Sequence, residues 1–134
     1  MFFQKDVETM KRKDIEALQL EKLRNKVDYR YRNVQKKKKK LDEAHVTADK
    51  IKSLSDIKYI PPTTKADLRD NYPFGMFAVP MSDIVRIHAS SGTTGKPTVV
   101  GYTKKDLDMW SDCVARIAVA AGATKEDIVQ ISFG

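Results

Sequence analysis

Apolar residues recur along the first third of the chain at helical spacing. Leu20, Leu23, Val27, Tyr31 and Val34 follow one another at intervals of three, four, four and three, which places them on one stripe of a helix. Glu16, Glu21, Lys22, Arg24, Lys26 and Arg30 fall on the other faces. Such a stripe packs on the core of its own domain or, alternatively, on a second copy of the chain, so a homodimer is one reading of it. A shorter helix is expected around 48–52 with Thr47 as its N-cap. Pro61-Pro62 then ends regular structure, and Thr64 is placed to cap a brief helix over 65–70.

From about residue 84 the pattern changes. Ile84–Ala89 and Thr98–Tyr102 read as strands on either side of a Gly/Thr-rich loop. Thr103 with Asp106 forms a capping-box pattern before a helix over roughly 104–121. Leu107, Trp110, Val114, Ile117 and Ala121 line one face of it, and Gly122 suits its C-terminal stop. Residues 128–133 read as a final strand, and a helix between two strands favours a parallel crossover. The fold class expected is therefore α/β. A helical N-terminal segment, 1–60, precedes part of a mixed sheet with a crossover helix, 61–134.

Two shorter features add to this reading. Phe74, Met76, Phe77 and Val79 crowd between Pro73 and Pro80, either as a linker packed beneath the sheet or as a wall near an active site. Lys65 and Arg69 are the positive groups of this block, and a surface role is expected for each. In an extended segment Arg86 and His88 project opposite to Val85, Ile87 and Ala89, and His88 is expected to be a hydrogen-bonded structural residue.

Charge is unevenly placed along the 134 residues. The net charge of +7 comes from the first 60 residues, where 17 Lys/Arg face 10 Asp/Glu, while residues 61–134 hold 8 of each. Five of the lysines are consecutive, Lys36–Lys40. No aromatic residues interleave with them, which argues against a nucleic-acid surface and for a solvated helix face or a frayed segment. A single cysteine, Cys113, excludes an internal disulfide, and its helical setting suits a small buried thiol. His45 and His88 lie far apart, and no group of residues has metal-ligand spacing, so no metal site is assigned. No apolar run approaches a membrane span and no signal-peptide pattern is present, so a cytoplasmic location without membrane contact is expected.

The chemistry concentrates in Ser90-Ser91-Gly92-Thr93-Thr94-Gly95-Lys96-Pro97. Glycines let backbone N–H groups converge on an anion, hydroxyls donate further hydrogen bonds, and a lysine adds a point charge. A Walker loop is excluded: five positions before Gly95 stands Ser90 rather than glycine, and Lys96 is followed by Pro97 rather than Ser or Thr. The β-branched segment that follows makes this a loop between two strands. By composition alone it is a phosphate cradle or an ordinary Gly/Thr-rich hairpin turn.

Ser-Ser-Gly-Thr-Thr-Gly-Lys-Pro resembles the phosphate-binding motif of the adenylate-forming enzymes, the superfamily of the acyl-CoA synthetases. Thr63–Pro80, Val85–Ala89 and the stretch through the loop to Thr103 narrow the resemblance to the phenylacetate-CoA ligase family. It runs from about Ala17 to Gly134 and is weakest in the basic segment. Where that family typically reads Asn-Val-Pro-Phe-Tyr, this chain has Asn33-Val34-Gln35-Lys36-Lys37, and without the proline the helix is free to continue.

The resemblance implies an N-terminal fragment of a much longer ligase, with 61–134 as the start of its ATP-binding domain. It implies activation of phenylacetate by ATP to an acyl-adenylate, followed by transfer to coenzyme A. Ser90, Ser91, Gly92, Thr93, Thr94, Gly95 and Lys96 would bind the β- and γ-phosphates alongside Mg²⁺. The family's catalytic lysine would lie beyond Gly134, leaving no catalytic residue in this chain and no turnover from it alone. The alternatives are a basic interaction module, or a small nucleotide-binding module that keeps a ligase-like loop.

Overall fold

The computed structural model describes residues 1–90, 95 and 97–132. The chain divides into two compact units, Lys11–Lys104 and Met1–Met10 with Lys105–Gly134.

In the first unit, α2 (Arg12–Asn33) carries the stripe expected from the sequence. (The short α1, Lys5–Glu8, belongs to the second unit.) Val27 is buried, with Leu20, Leu23 and Tyr31 packed around it. The helix does not run on through the basic segment. Val34 takes an extended conformation, φ −127° and ψ 103°, and α3 (Gln35–Glu43) starts afresh behind it. Val34 is buried, and its carbonyl accepts from the amides of Lys37 and Lys38 at 2.9 Å each, which nucleates the new helix. A β-branched residue adopts the extended state at little cost. This single break lets α3 bring Leu41 into the same core as Val27, together with Val46 and Ile51.

The end of α3 is a Schellman turn. The His45 amide donates to the Asp42 carbonyl and the Val46 amide to the Leu41 carbonyl, both at 3.0 Å. His45 sits at φ 54°, and Leu41 and Val46 are both buried, the apolar contact that usually accompanies this motif. A short 3₁₀ turn over Ala48–Lys50 stands where a helix to residue 52 was expected, and Thr47 makes no side-chain cap to its backbone. A second, Leu54–Tyr59, is held at its start by Asp56, whose carboxylate accepts from the Lys52 and Ser53 amides at 2.8 Å. Arg24 of α2 donates to the Ile51 carbonyl at 2.7 Å and ties the returning chain to the helix.

Helix α4 (Lys65–Asp70) begins at Thr64 as the sequence indicates. The Thr64 hydroxyl accepts from the Asp67 amide, and the Asp67 carboxylate accepts from the Thr64 amide. The strands β1 (Ile84–Ala89) and β2 (Val99–Thr103) form a two-stranded antiparallel sheet. Val85 is an extra residue between the pairs Ile84–Thr103 and Arg86–Tyr102, a bulge that shifts the alternation of side chains. Beneath the sheet Phe77 packs so tightly on Gly101 that a Cβ there would lie 2.6 Å from the ring Cζ. Phe74 stands against Phe77 with ring centroids 5.2 Å apart. The apolar stretch at 73–80 thus includes a prop under the hairpin, as one of its two readings anticipated.

The second unit contains α1 and α5 (Lys104–Ala120, whose first residue is counted with the first unit). Glu8 accepts from the Phe3 and Gln4 amides, and Gln4 donates to Asp112 of α5 at 3.3 Å. Gly122 ends α5 at φ +97°, with bonds from its own amide to Val119 and from the Ala123 amide to Ala118. The expected apolar stripe of α5 is largely open: Trp110, Val114 and Ile117 are all exposed. Cys113 is half-buried rather than buried.

Residues 128–132 do not form the expected strand, and no parallel crossover is present among the described residues. A strand exists only through ladder bonds to a neighbour, and among the described residues none pairs with this segment. Ile128, Val129 and Ile131 accordingly stay exposed.

Candidate functional site

The loop that carries the candidate chemistry joins β1 to β2. Antiparallel pairing runs to its rim, with Ala89 opposite Val99. Ser90 closes the neck: its amide donates to the Thr98 carbonyl at 3.0 Å, and its hydroxyl accepts from the Thr98 amide at 3.3 Å. Gly95 is exposed at φ +113°, and a Cβ built on it would meet nothing within 4 Å. Its backbone is therefore open to a bulky anion, and its conformation is one that glycine alone adopts freely. Ser91, Gly92, Thr93, Thr94 and Lys96 lie outside the described residues.

His88 does not stand apart as a free ligand. Its ring meets that of Tyr102 edge-on at 5.0 Å, a contact across the two strands. Arg69 and Tyr72 also hold interactions within the protein. Among the described residues no cluster of His, Cys, Asp and Glu could hold a metal ion, and no helix is long and apolar enough to cross a membrane.

The lysine run departs from its expected role as a solvated or frayed face. Lys40 donates to the Asp67 carboxylate at 2.5 Å and to the Pro62 carbonyl at 3.2 Å. Lys36 lies 3.9 Å from the same carboxylate. Lys40, followed by the bonds from Thr64, holds the Asp67 carboxyl well below its ordinary range. Lys37 is only 7 % exposed, and burial, with Arg30 and Lys40 nearby, lowers its pKa. Lys38 sits over the Tyr31 ring and Lys39 faces Glu43. The missed signal was periodic: Val34, Lys37 and Leu41 continue the helical stripe at intervals of three and four, so one lysine had to enter the core face.

The architecture just described is that of a stretch of the adenylate-forming CoA ligases. It superimposes on 2-hydroxyisobutyryl-CoA ligase in complex with 2-HIB-AMP and CoA in the thioesterification state, with a TM-score of 0.79 and 30 % identity over 87 % of this chain and 26 % of that one. An open conformation of the same ligase matches with a TM-score of 0.77 at 28 % identity, over 86 % of this chain and 25 % of that one.

Sequence makes the relation more particular. The chain is 50 % identical to the phenylacetate-coenzyme A ligase of Escherichia coli (strain K12) over 128 residues, 96 % of this chain and 29 % of that protein. It is 52 % identical to the enzyme of that name from Aromatoleum evansii over the same shares. The Thermus thermophilus counterpart is 48 % identical over the whole chain and 30 % of its own length. No protein-family model matches. The chain is homologous to phenylacetate-CoA ligases and spans about 30 % of the length of these curated relatives.

Proposed function

We propose that this chain is part of a phenylacetate-CoA ligase, with 1–60 as a helical N-terminal segment and 61–134 as the start of the ATP-binding domain. The observation that carries the reading is the hairpin loop of Ser90–Lys96, set between paired strands and closed at its neck by Ser90, in a chain homologous to those ligases throughout.

In the reaction the carboxylate of phenylacetate attacks the α-phosphate of ATP, giving an acyl-adenylate and pyrophosphate. The thiolate of coenzyme A then displaces AMP. The chain's contribution is to hold the leaving β- and γ-phosphates. Amides around Gly92 and Gly95 and the hydroxyls of Ser90, Ser91, Thr93 and Thr94 donate to phosphate oxygens, and Lys96 neutralises charge as pyrophosphate departs. Mg²⁺ accompanying the nucleotide supplies further neutralisation. Gly95 fits this role because its open backbone lets phosphate approach without a side chain in the way.

The test is phenylacetate-dependent exchange of labelled pyrophosphate into ATP by the complete polypeptide that carries this chain. Exchange that requires phenylacetate supports the reading, and its absence with intact, folded protein refutes it. The 134 residues alone are expected to form no phenylacetyl-CoA, so steady turnover from them would contradict this division of labour.

A further inference from the structure

A cleft of about 330 Å³ opens between α2, α3 and the Ile57–Thr63 segment, and it shares no residue with the 90–96 loop. Its volume is within the range of small-molecule sites, on the order of 300–1,000 Å³. Leu23, Val27, Leu41, Ile57, Ile60 and Pro61 form apolar walls. Four cationic residues join them: Lys26, Arg30, Lys37 and Lys40.

The four are not equally committed. Lys26 lies over the Tyr29 ring, and Lys40 is bound to Asp67 and Pro62. Lys37 and Arg30 make no side-chain hydrogen bond or ion pair with the described residues. Lys37 is more than nine-tenths buried. Burial, with Arg30 and Lys40 close by, disfavours the Lys37 ammonium, and the Asp67 carboxylate offsets this only in part. A bound anion relieves the remainder. The surrounding walls are aliphatic, which suits an anion carrying an apolar body rather than an inorganic ion.

We propose that this cleft binds a small monocarboxylate with a compact apolar body. Its carboxylate is held between the Arg30 guanidinium and the Lys37 ammonium, and its hydrocarbon part lies on Leu23, Val27 and Ile60. Arg30 offers the planar fork that matches a carboxylate, and Lys37 supplies a desolvated point charge. This site does not depend on the ligase reading and is open to test on the chain itself.

The experiment is a two-dimensional amide NMR titration of the 134-residue chain with sodium hexanoate, with hexanamide and sodium sulfate as matched controls. Hexanoate is expected to bind saturably and to shift amides of residues 23–41 and 57–63. Lys37→Gln and Arg30→Gln are each expected to weaken it at least about tenfold, the loss that follows from removing a charged hydrogen-bond partner. Arg30 is exposed and its replacement leaves the core untouched, so that variant reports even where Lys37→Gln does not fold. Equal binding of hexanamide or of sulfate, or hexanoate affinity unchanged in Arg30→Gln, overturns the proposal.

Discussion

Lys40 of α3 holds the carboxylate of Asp67, 27 residues later, at 2.5 Å. The same carboxylate accepts the Thr64 amide at 2.8 Å and the Thr64 hydroxyl at 3.0 Å. One aspartate thus starts α4 and joins it to the basic helix. The residues that make the chain so positive are used to set where the second half of this unit begins.

That relationship has a definite pH dependence. The folded carboxyl of Asp67 sits below its ordinary value of 3.8, so the native state binds fewer protons than the unfolded chain in acid. Its contribution is fully present above about pH 4 and is lost as pH falls toward the folded value. Urea denaturation at pH 7 and pH 3 should show a larger loss on acidification for the wild type than for Asp67→Asn, so that the gap between them narrows at pH 3. Parallel losses would contradict this.

Lys37 is a buried cation without a bonded partner, retained against its desolvation cost. Lys37→Met keeps the apolar stem and discards the charge. It should raise stability at pH 7 by about 1 kcal/mol, the low end of gains seen when buried charges give way to apolar groups of similar volume. Equilibrium denaturation checks it, and a loss of stability would show that the ammonium has a partner of its own.

Phe77 and Gly101 form the contact that props the hairpin. A methyl at position 101 would stand 2.6 and 2.7 Å from two ring carbons of Phe77, and 3.1 Å from Ile84 Cδ1. Gly101→Ala should destabilise by about 1–3 kcal/mol, as overpacking does. Adding Phe77→Leu should recover part of that loss, a coupling that a double-mutant cycle in urea would measure. Simple additivity would sink the contact.

His45 occupies the left-handed position that ends α3, at φ 54°. A residue with a Cβ adopts this conformation at a cost of roughly 1–2 kcal/mol. His45→Gly should therefore stabilise the fold by about 1 kcal/mol, read as a higher thermal midpoint. A lower midpoint would mean the imidazole makes a compensating contact.

Much of this was legible in the sequence because it is local. The stripe from Leu20 to Tyr31, the Thr64 cap, the paired strands around residue 90 and the Gly122 stop all depend on residues close in sequence. What escaped depends on distant partners. Lys40 meets Asp67 across 27 residues, and although the spacing from Val34 to Leu41 marks Lys37 as the inward lysine, nothing local marks Lys40 as the one that pairs. The break at Val34 replaced a continuous helix because tertiary burial of Val34 and Leu41 outweighed local propensity. The final strand failed for a related reason, since apolar β-branched residues form a strand only beside another.

The role of the 90–96 loop is tested most directly by the pyrophosphate exchange of the complete ligase polypeptide with Lys96→Ala beside the wild type. Loss of a group that stabilises charge on departing phosphate should slow phenylacetate-dependent exchange by about 100-fold or more. Thermal stability should remain within a few degrees of the wild type. Exchange at the wild-type rate in a folded Lys96→Ala protein would contradict the assignment of this loop to the phosphates of ATP.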